Sequence, residues 1–425
     1  METAQVIIVG GGPAGSATAF RLARAGIDVV VLDRAHFPRD KPCSEYMSPQ
    51  ASRLLDEMGV LERVESAGAA SLAGMKIRSP NGTSFHGRFA DVRGYRGYRD
   101  RGLALRRTIL DTLLIERARE CGARVLEGVR VTSLSRDANR RVTGVEVLDA
   151  NGTATTMHAP IVIGADGLRS IVARRLALAA TRIAPPRIAF VTHYANVEGM
   201  GDSGEMHVES DGYLGLADVG GGITNVAVVV PRARARDSAG NPGAFMDAWI
   251  ARRPHVAPRL ATATRTSPVL ATGPFASAAR RAWAPGAALV GDAADFFDPF
   301  TGEGIYAALR GAELLAPSVM AALAARRVSA ADDALREYDR ARVREFRGKW
   351  AVERMIGAAV SFPALMNVAA RSLAMRPDMA HTIVGVTGDF VPAREVLRPG
   401  FLARLITPWS TAPEPAAPLA STEPT

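Results

Sequence analysis

Gly10, Gly12 and Gly15 form a G-x-G-x-x-G turn between the β-branched run at residues 5–9 and the helically spaced SATAFRLARAG, with Pro13 and Ala14 inside the turn. Each glycine answers a separate need: a tight turn at Gly10, close approach of a pyrophosphate to the backbone at Gly12, and close helix packing at Gly15. Asp33 ends the next apolar run, IDVVVLD, where a carboxylate accepts ribose hydroxyls, and Arg34 follows it in the same candidate site. Strand, glycine turn, helix and strand in this order make a βαβ unit for a dinucleotide. The turn alone does not separate a flavin from a nicotinamide dinucleotide.

IVIGADGLRS places Asp166 and Gly167 after a buried strand, and ALVGDAADFFDPFTGEGIYAAL places Gly291 and Asp292 after another. Each pair alone is turn chemistry, but with the first motif they mark one composite site. Among the seven His no metal-ligand spacing occurs, and Cys43 with Cys121 cannot complete a tetrahedral zinc site, so no metal is expected. His193 and His207 alternate with apolar residues, so one of them can face a pocket as a base. Tyr46, Tyr213 and Cys43 are further pocket candidates. No Ser-His-Asp or Cys-His set is recognisable, which suits a redox cofactor that carries the chemistry while the protein supplies position and electrostatics.

The elements that must hold these residues follow from pattern. The spacing predicts a helix over 103–122, strands in ARVLEGVRVTSLS and RVTGVEVLDANG with a turn at Asn151-Gly152, and short antiparallel strands over 185–230. Residues 330–376 read as mostly helical. The domains expected are a discontinuous cofactor domain (1–75, 100–180 and 272–330), an antiparallel substrate domain (76–99 and 181–271), a C-terminal helical region (331–410) and a disordered tail (411–425).

With 425 residues, 48% hydrophobic and 22% charged, the chain is globular and too long for one ordinary core. Its 40 Gly and 26 Pro are dispersed, which excludes collagen-like and solenoid chains. The net charge is +9, yet only Lys41, Lys76 and Lys349 of the 52 basic residues are lysine. The basic runs are scattered and lack interleaved aromatics, so no nucleic acid is expected; solvated arginine faces, or attraction to anionic cofactors and lipids, fit better. Two cysteines exclude a disulfide scaffold and suit a reducing cytoplasm, and the apolar start has no charged leader or cleavage site. The uncharged stretch 355–370 is interrupted by Pro363 and falls short of the ~20 apolar residues of a spanning helix. With the apolar and basic segment 394–406 it can lie on the inner face of a membrane as a peripheral contact.

Over roughly residues 4 to 315, with its motifs in family order, the chain resembles the FAD-dependent oxidoreductase superfamily of the single-component aromatic hydroxylases, geranylgeranyl reductases and flavin-dependent halogenases. The resemblance implies FAD in a Rossmann-like α/β domain with a parallel sheet, interrupted by an antiparallel substrate sheet and followed by C-terminal helices. It implies that Arg107, in RTILD, reaches the FAD phosphates or ribityl, that Asp292 holds the ribityl chain, and that Asp166-Gly167 supports cofactor and nicotinamide access. Val131 is included in the cofactor set. The backbone of Pro299, Gly302, Glu303, Gly304 and Ile305 is implied at the flavin pyrimidine edge, where a helix start would face the charge of reduced flavin; a cap on that helix is the other reading of Glu303.

DKPCSEYMSP is most similar to the KxCGxxLSP loop of the geranylgeranyl reductase branch, whose Cys lies near the flavin, with Ser44, Glu45 and Tyr46 replacing small residues. Leu216 to Asp218 stand where that branch carries a tryptophan and an F-P pair. The halogenase W-x-W-x-I-P is missing, and Lys76 reads as a solvated strand residue. No second G-x-G-x-x-G follows a strand, so NAD(P)H is expected to dock transiently as electron donor. The reading preferred from sequence is a monooxygenase that uses O₂, through a flavin C4a-hydroperoxide, on an apolar aromatic, phenolic-lipid or polyketide-type substrate. A reductase of isoprenoid double bonds is the alternative, and a flavin-binding scaffold without turnover is the alternative of another class; no obligate protein partner is evident.

Overall fold

The computed structural model describes residues 2–179, 186–238, 240–275 and 277–407; the tail expected to be disordered, 411–425, lies outside them. Val6–Val9, Val29–Asp33 and Ile161–Gly164 are wholly buried. Strands that are apolar on both faces are stable only inside a covered sheet. They form the centre of a six-stranded sheet in the order Trp283–Ala284, Ala287–Leu289, Ile161–Gly164, Val6–Val9, Val29–Asp33, Arg124–Glu127. All its pairs are parallel except the first. Val9 pairs with Leu32 and with Gly164, so the carboxyl ends of the three central strands open on one edge, where open α/β sheets bind ligands.

The helix Pro13–Arg24 starts at that edge, with Pro13 in its first turn and left-handed Gly26 after its end. It packs beside Gly304–Ala324, whose Ile305, Leu309, Ala312, Leu315 and Val319 are buried. The latter helix, 21 residues long, is long and apolar enough to cross a membrane, but its packing makes it the core helix of this layer.

A second sheet lies over the edge, in the order Thr264–Arg265, Arg187–Ala195, Ile223–Pro231, Gly212–Asp218, Ser203–Glu209, Gly74–Arg78, Ser84–Arg88. Its pairs are antiparallel except that Ser203–Glu209 runs parallel to Gly74–Arg78. The strands Gly74–Arg78 and Leu270–Thr272 each straddle a domain boundary drawn from the sequence. One face of this sheet packs on the helix Pro242–Ala251 through Phe190, Leu214, Val226, Val228 and Trp249. The other face, with Ala189, Val191, Met206, Tyr213 and Val229, turns toward the cofactor sheet and the C-terminal helices.

Three elements differ from the sequence reading. The helix expected over 103–122 is confined to Arg107–Glu120, because Gly102–Ala104 is a strand between Tyr46–Met47 and Ala70–Leu72. ARVLEGVRVTSLS divides at left-handed Gly128: Arg124–Glu127 joins the parallel sheet, and Arg130–Arg136 pairs antiparallel with Val142–Leu148 in another sheet. The stretch 355–370 belongs to two helices, Val328–Ser361 and Pro363–Ala374, set at 112° across Phe362. Their inner side chains Val352, Val360, Met366 and Ala370 are buried.

A Cβ at Gly15 would lie 1.8 Å from the carbonyl oxygen of Gly10. Gly15→Ala is therefore expected to cost more than about 3 kcal/mol or to prevent folding, read by chemical denaturation; a stability within 1 kcal/mol of wild type would show that the helix can shift aside.

Candidate active site

Between the carboxyl edge of the parallel sheet and the inner face of the second sheet lies a cleft with about 2000 Å³ of empty space, open to solvent. Gly12, Pro13 and Ala14 line it at the start of the first helix; Gly167, Gly291 and Asp292 line it at the next two strand ends. The long helix Val328–Ser361 supplies a further wall.

Gly12 caps the first helix without a side chain, leaving N–H groups directed at the cleft. A Cβ built on Gly12 meets nothing nearer than Arg39 Nη2 at 3.4 Å and Arg107 Nη2 at 3.9 Å. Asp111 anchors both guanidiniums, at 3.1 Å from Arg39 and at 2.6 and 2.7 Å from Arg107. Burial opposes the charge on Arg107, but Asp111 and the adjacent Cys43 hold it protonated. A helix start, two guanidiniums and a cradle that a larger side chain would enter fit a pyrophosphate. Asp33 accepts from Gly11 N–H at 2.8 Å and Ala35 N–H at 2.9 Å, so it shapes the glycine turn itself. Arg34 is exposed beyond the strand end. Val131 is buried in Arg130–Arg136, and two residues before it Val129 N–H donates to the Asp33 carbonyl at 2.9 Å.

Asp292 lines the cleft with Lys41 Nζ 3.3 Å from its carboxylate. Asp166 is turned away from it: Oδ2 accepts from Ile171 N–H at 2.6 Å, and burial pushes this carboxyl up. Gly167, not the Asp166 carboxylate, thus faces the cleft. Pro299, Gly302, Glu303, Gly304 and Ile305 line it together. Asp298 accepts from Phe300 N–H at 3.0 Å to fix the turn, Gly302 is left-handed at φ 72°, and the helix Gly304–Ala324 begins there. Glu303 stands at the cap position of that helix but makes no capping hydrogen bond. Its carboxylate turns to Lys349, 3.4 Å away.

The pocket candidates separate by strand alternation. His207 faces away from the cleft side, hydrogen-bonded to Glu205 at 2.9 Å with Arg259 on the same carboxylate at 2.6 Å. His193 shares the inner face with Ala189 and Val191 but is engaged on both ring nitrogens, with Glu45 Oε2 at 2.7 Å and Ser267 Oγ at 2.9 Å. Neither histidine is a free base in the cleft. Tyr213 lines it, yet its hydroxyl donates to Asp298 at 2.6 Å. Tyr46 lines it with a buried hydroxyl that has no partner among the described residues, its pKa pushed well up by burial and then by Glu303. Cys43 borders the cleft, and its carbonyl accepts from Asn225 Nδ2 at 2.9 Å.

Sequence reasoning passed over Arg39, Lys41, Glu45, Asn225 and the wall of the long helix. That wall was open to a periodicity argument, since Arg342, Phe346, Lys349, Trp350 and Glu353 recur on one helical stripe and all border the cleft. Arg39 and Lys41 lie in an irregular loop whose path no local pattern fixes. Arg39→Ala and Asp292→Ala are each expected to weaken FAD by about 1–3 kcal/mol, measured as flavin dissociation by fluorescence. Unchanged affinity in both variants would displace the cofactor from this cradle.

The chain is 35% identical over 175 residues to the menaquinone reductase of Mycobacterium tuberculosis, an alignment that spans only 40% of that relative. With the menaquinone reductase of Mycolicibacterium smegmatis it is 30% identical over 426 residues, 96% of each chain. With digeranylgeranylglycerophospholipid reductase 1 of Methanopyrus kandleri it is 31% identical over 314 residues, 72% of this chain and 77% of that one. A solved flavoprotein/dehydrogenase from Cytophaga hutchinsonii has the same fold, with a TM-score of 0.80 at 21% identity over 94% of this chain and 96% of that one. The family model described as FAD binding domain matches residues 3–348. The geometry of the glycine turn and its cleft and this match agree: the chain belongs to the FAD binding domain family.

Proposed function

We propose that the chain is an FAD-dependent reductase that saturates a carbon–carbon double bond in the isoprenoid tail of a lipid or quinone. The observation that carries this reading is a second, apolar pocket that shares Met75, Met206, Phe300 and Thr301 with the cleft wall. Ile77, Phe85, Met355, Ile356, Met366 and Leu373 complete most of its lining, and no charged residue borders it among the described residues. At about 0.8 kcal/mol per buried carbon, each five-carbon unit entering it gains about 4 kcal/mol before ordering costs. Relatives aligned over 96% and 72% of this chain are named as a menaquinone reductase and a digeranylgeranylglycerophospholipid reductase, which supports reduction over the oxygen transfer preferred from sequence.

Bound FAD, once reduced with NAD(P)H as the proposed donor, would supply hydride. The residues of the chain do the rest. Gly12, Arg39, Arg107 and Asp292 would hold the cofactor; Tyr213, fixed by Asp298, and the inner sheet face would wall one side of the site; the apolar pocket would take the tail. The discriminating experiment is anaerobic turnover with reduced holoenzyme and a menaquinone bearing an unsaturated polyprenyl tail. A product heavier by two hydrogens is expected. O₂-dependent turnover giving a product heavier by one oxygen would overturn the reading in favour of the monooxygenase.

The same reading places the protein at a membrane surface, as a peripheral contact on the cytoplasmic side. Phe362, Leu365, Met375 and Ile406, 63%, 39%, 53% and 56% exposed, all lie on the C-terminal helices or their junctions. Arg354, Arg371, Arg398 and Arg404 are exposed on the same helices or their junctions and offer positive charge to anionic headgroups. Phe362→Asp is expected to reduce flotation with anionic liposomes; flotation as strong as wild type would remove this face from the contact.

A further inference from the structure

The long C-terminal helix brings a second set of ionisable groups to the cleft. Lys349 and Glu353, one turn apart on Val328–Ser361, line it with Glu303. Lys349 Nζ lies 3.4 Å from Glu303 Oε2 and also contacts Asp389, just beyond the helix Pro377–Thr387. The Glu303 and Asp389 side chains are only 5% and 1% exposed. Three carboxyls therefore surround one ammonium. Fully ionised, the set would hold two uncompensated negative charges out of water, at several kcal/mol for each ion. Protonating a carboxyl removes that cost.

Glu303 and Glu353 are the pair on which that cost falls. Burial and the charge of Glu303 push the Glu353 carboxyl well above the ordinary range, against the pull of Lys349; the hydrogen bond it shares with Glu303, and Asp295, push it further. Glu303 is raised too, by burial, with Lys349 and the Glu353 hydrogen bond opposing. Asp295 is itself held by Arg342 and by Trp350 Nε1 at 2.8 Å. Glu353 Oε2 is buried at the cleft wall with no partner among the described residues. A buried polar atom left unpaired costs about 1–3 kcal/mol, so a purely structural role would be better filled by an apolar side chain.

We propose that Glu353 is the proton donor of the cleft. The proposal rests on the reductase reading. Saturating a double bond forms two C–H bonds. Hydride from the reduced FAD brings one hydrogen with the electron pair and leaves the cofactor oxidised. The second bond forms at the neighbouring carbon as the Glu353 O–H bond breaks, its electrons staying on the carboxylate; a proton from solvent then restores the acid.

The test begins with infrared spectra of apoprotein and oxidised holoprotein. A protonated-carboxyl C=O band is expected at neutral pH, lost as pH rises through the raised pKa of Glu353 and absent from Glu353→Gln. With the polyprenyl menaquinone as probe, the wild-type hydrogenation rate should fall over the same rise in pH, because the acid form is the active one. Glu353→Gln should lower the rate about 100-fold or more and abolish that pH dependence while taking up FAD and accepting electrons from dithionite. Glu353→Asp, which keeps an acid, should recover part of the rate. Absence of the band from wild type, or wild-type hydrogenation by the Gln variant, overturns the donor role alone. An oxygenated product from wild type instead overturns the reductase reading, and the donor role with it.

Discussion

The cleft depends on how closely the first helix approaches the turn before it. With Gly15 against the Gly10 carbonyl there is room for a hydrogen and nothing larger. Gly10 is itself left-handed, with the backbone of Ala165 2.5 Å from where its Cβ would stand. These two contacts lock the helix start, the end of Val6–Val9 and the end of Ile161–Gly164 into one rigid corner. Free N–H groups in that corner face a space rather than a side chain. An anion entering it meets donors already oriented, so little reorganisation is left for binding to supply.

From this corner the structure reaches the second sheet through one buried carboxylate. Glu45 occupies the left-handed region at φ 61°, uncommon for a side chain of its kind. Its oxygens accept from Arg107 N–H at 2.8 Å and Asn225 Nδ2 at 3.0 Å, and meet His193 Nε2 at 2.7 Å. Arg107 begins the helix behind the pyrophosphate cradle, whereas Asn225 and His193 face one another across two strands of the second sheet. The backbone cost at Glu45 is offset by charge-assisted hydrogen bonds at about 1.5–3 kcal/mol each. The loop bearing Cys43 and Tyr46 is fixed between cofactor corner and substrate sheet as a result.

The parts that were legible in the sequence are those governed by local rules. The buried β-branched strands, the glycine turn and the strand alternation from Arg187 to Pro231 depend on neighbours in the chain, and pattern finds them. That same alternation leaves open which of His193 and His207 faces inward, because a single strand carries no sign of which face is covered. Glu45 looked like a departure from a glycine-rich loop, and its purpose emerges only when residues 107, 193 and 225 converge on it. Gly102–Ala104 was hidden for a related reason: three residues joined to a helix become a strand only because strands stand on both sides.

The charges of the cleft are divided in a way composition conceals. Arg39, Arg107 and the helix start gather positive potential at the glycine turn, while Glu303, Glu353, Asp295 and Asp389 crowd around Lys349 and Arg342 along the long helix. Of the only three lysines in the chain, Lys41 and Lys349 line the cleft. A guanidinium is planar, permanently charged and suited to fixed bidentate partners such as Asp111. An ammonium is compact and can sit among three carboxyls without imposing one geometry. The arginines thus gather at the end built to hold a fixed anion, and Lys349 stands at the end where carboxyls crowd together.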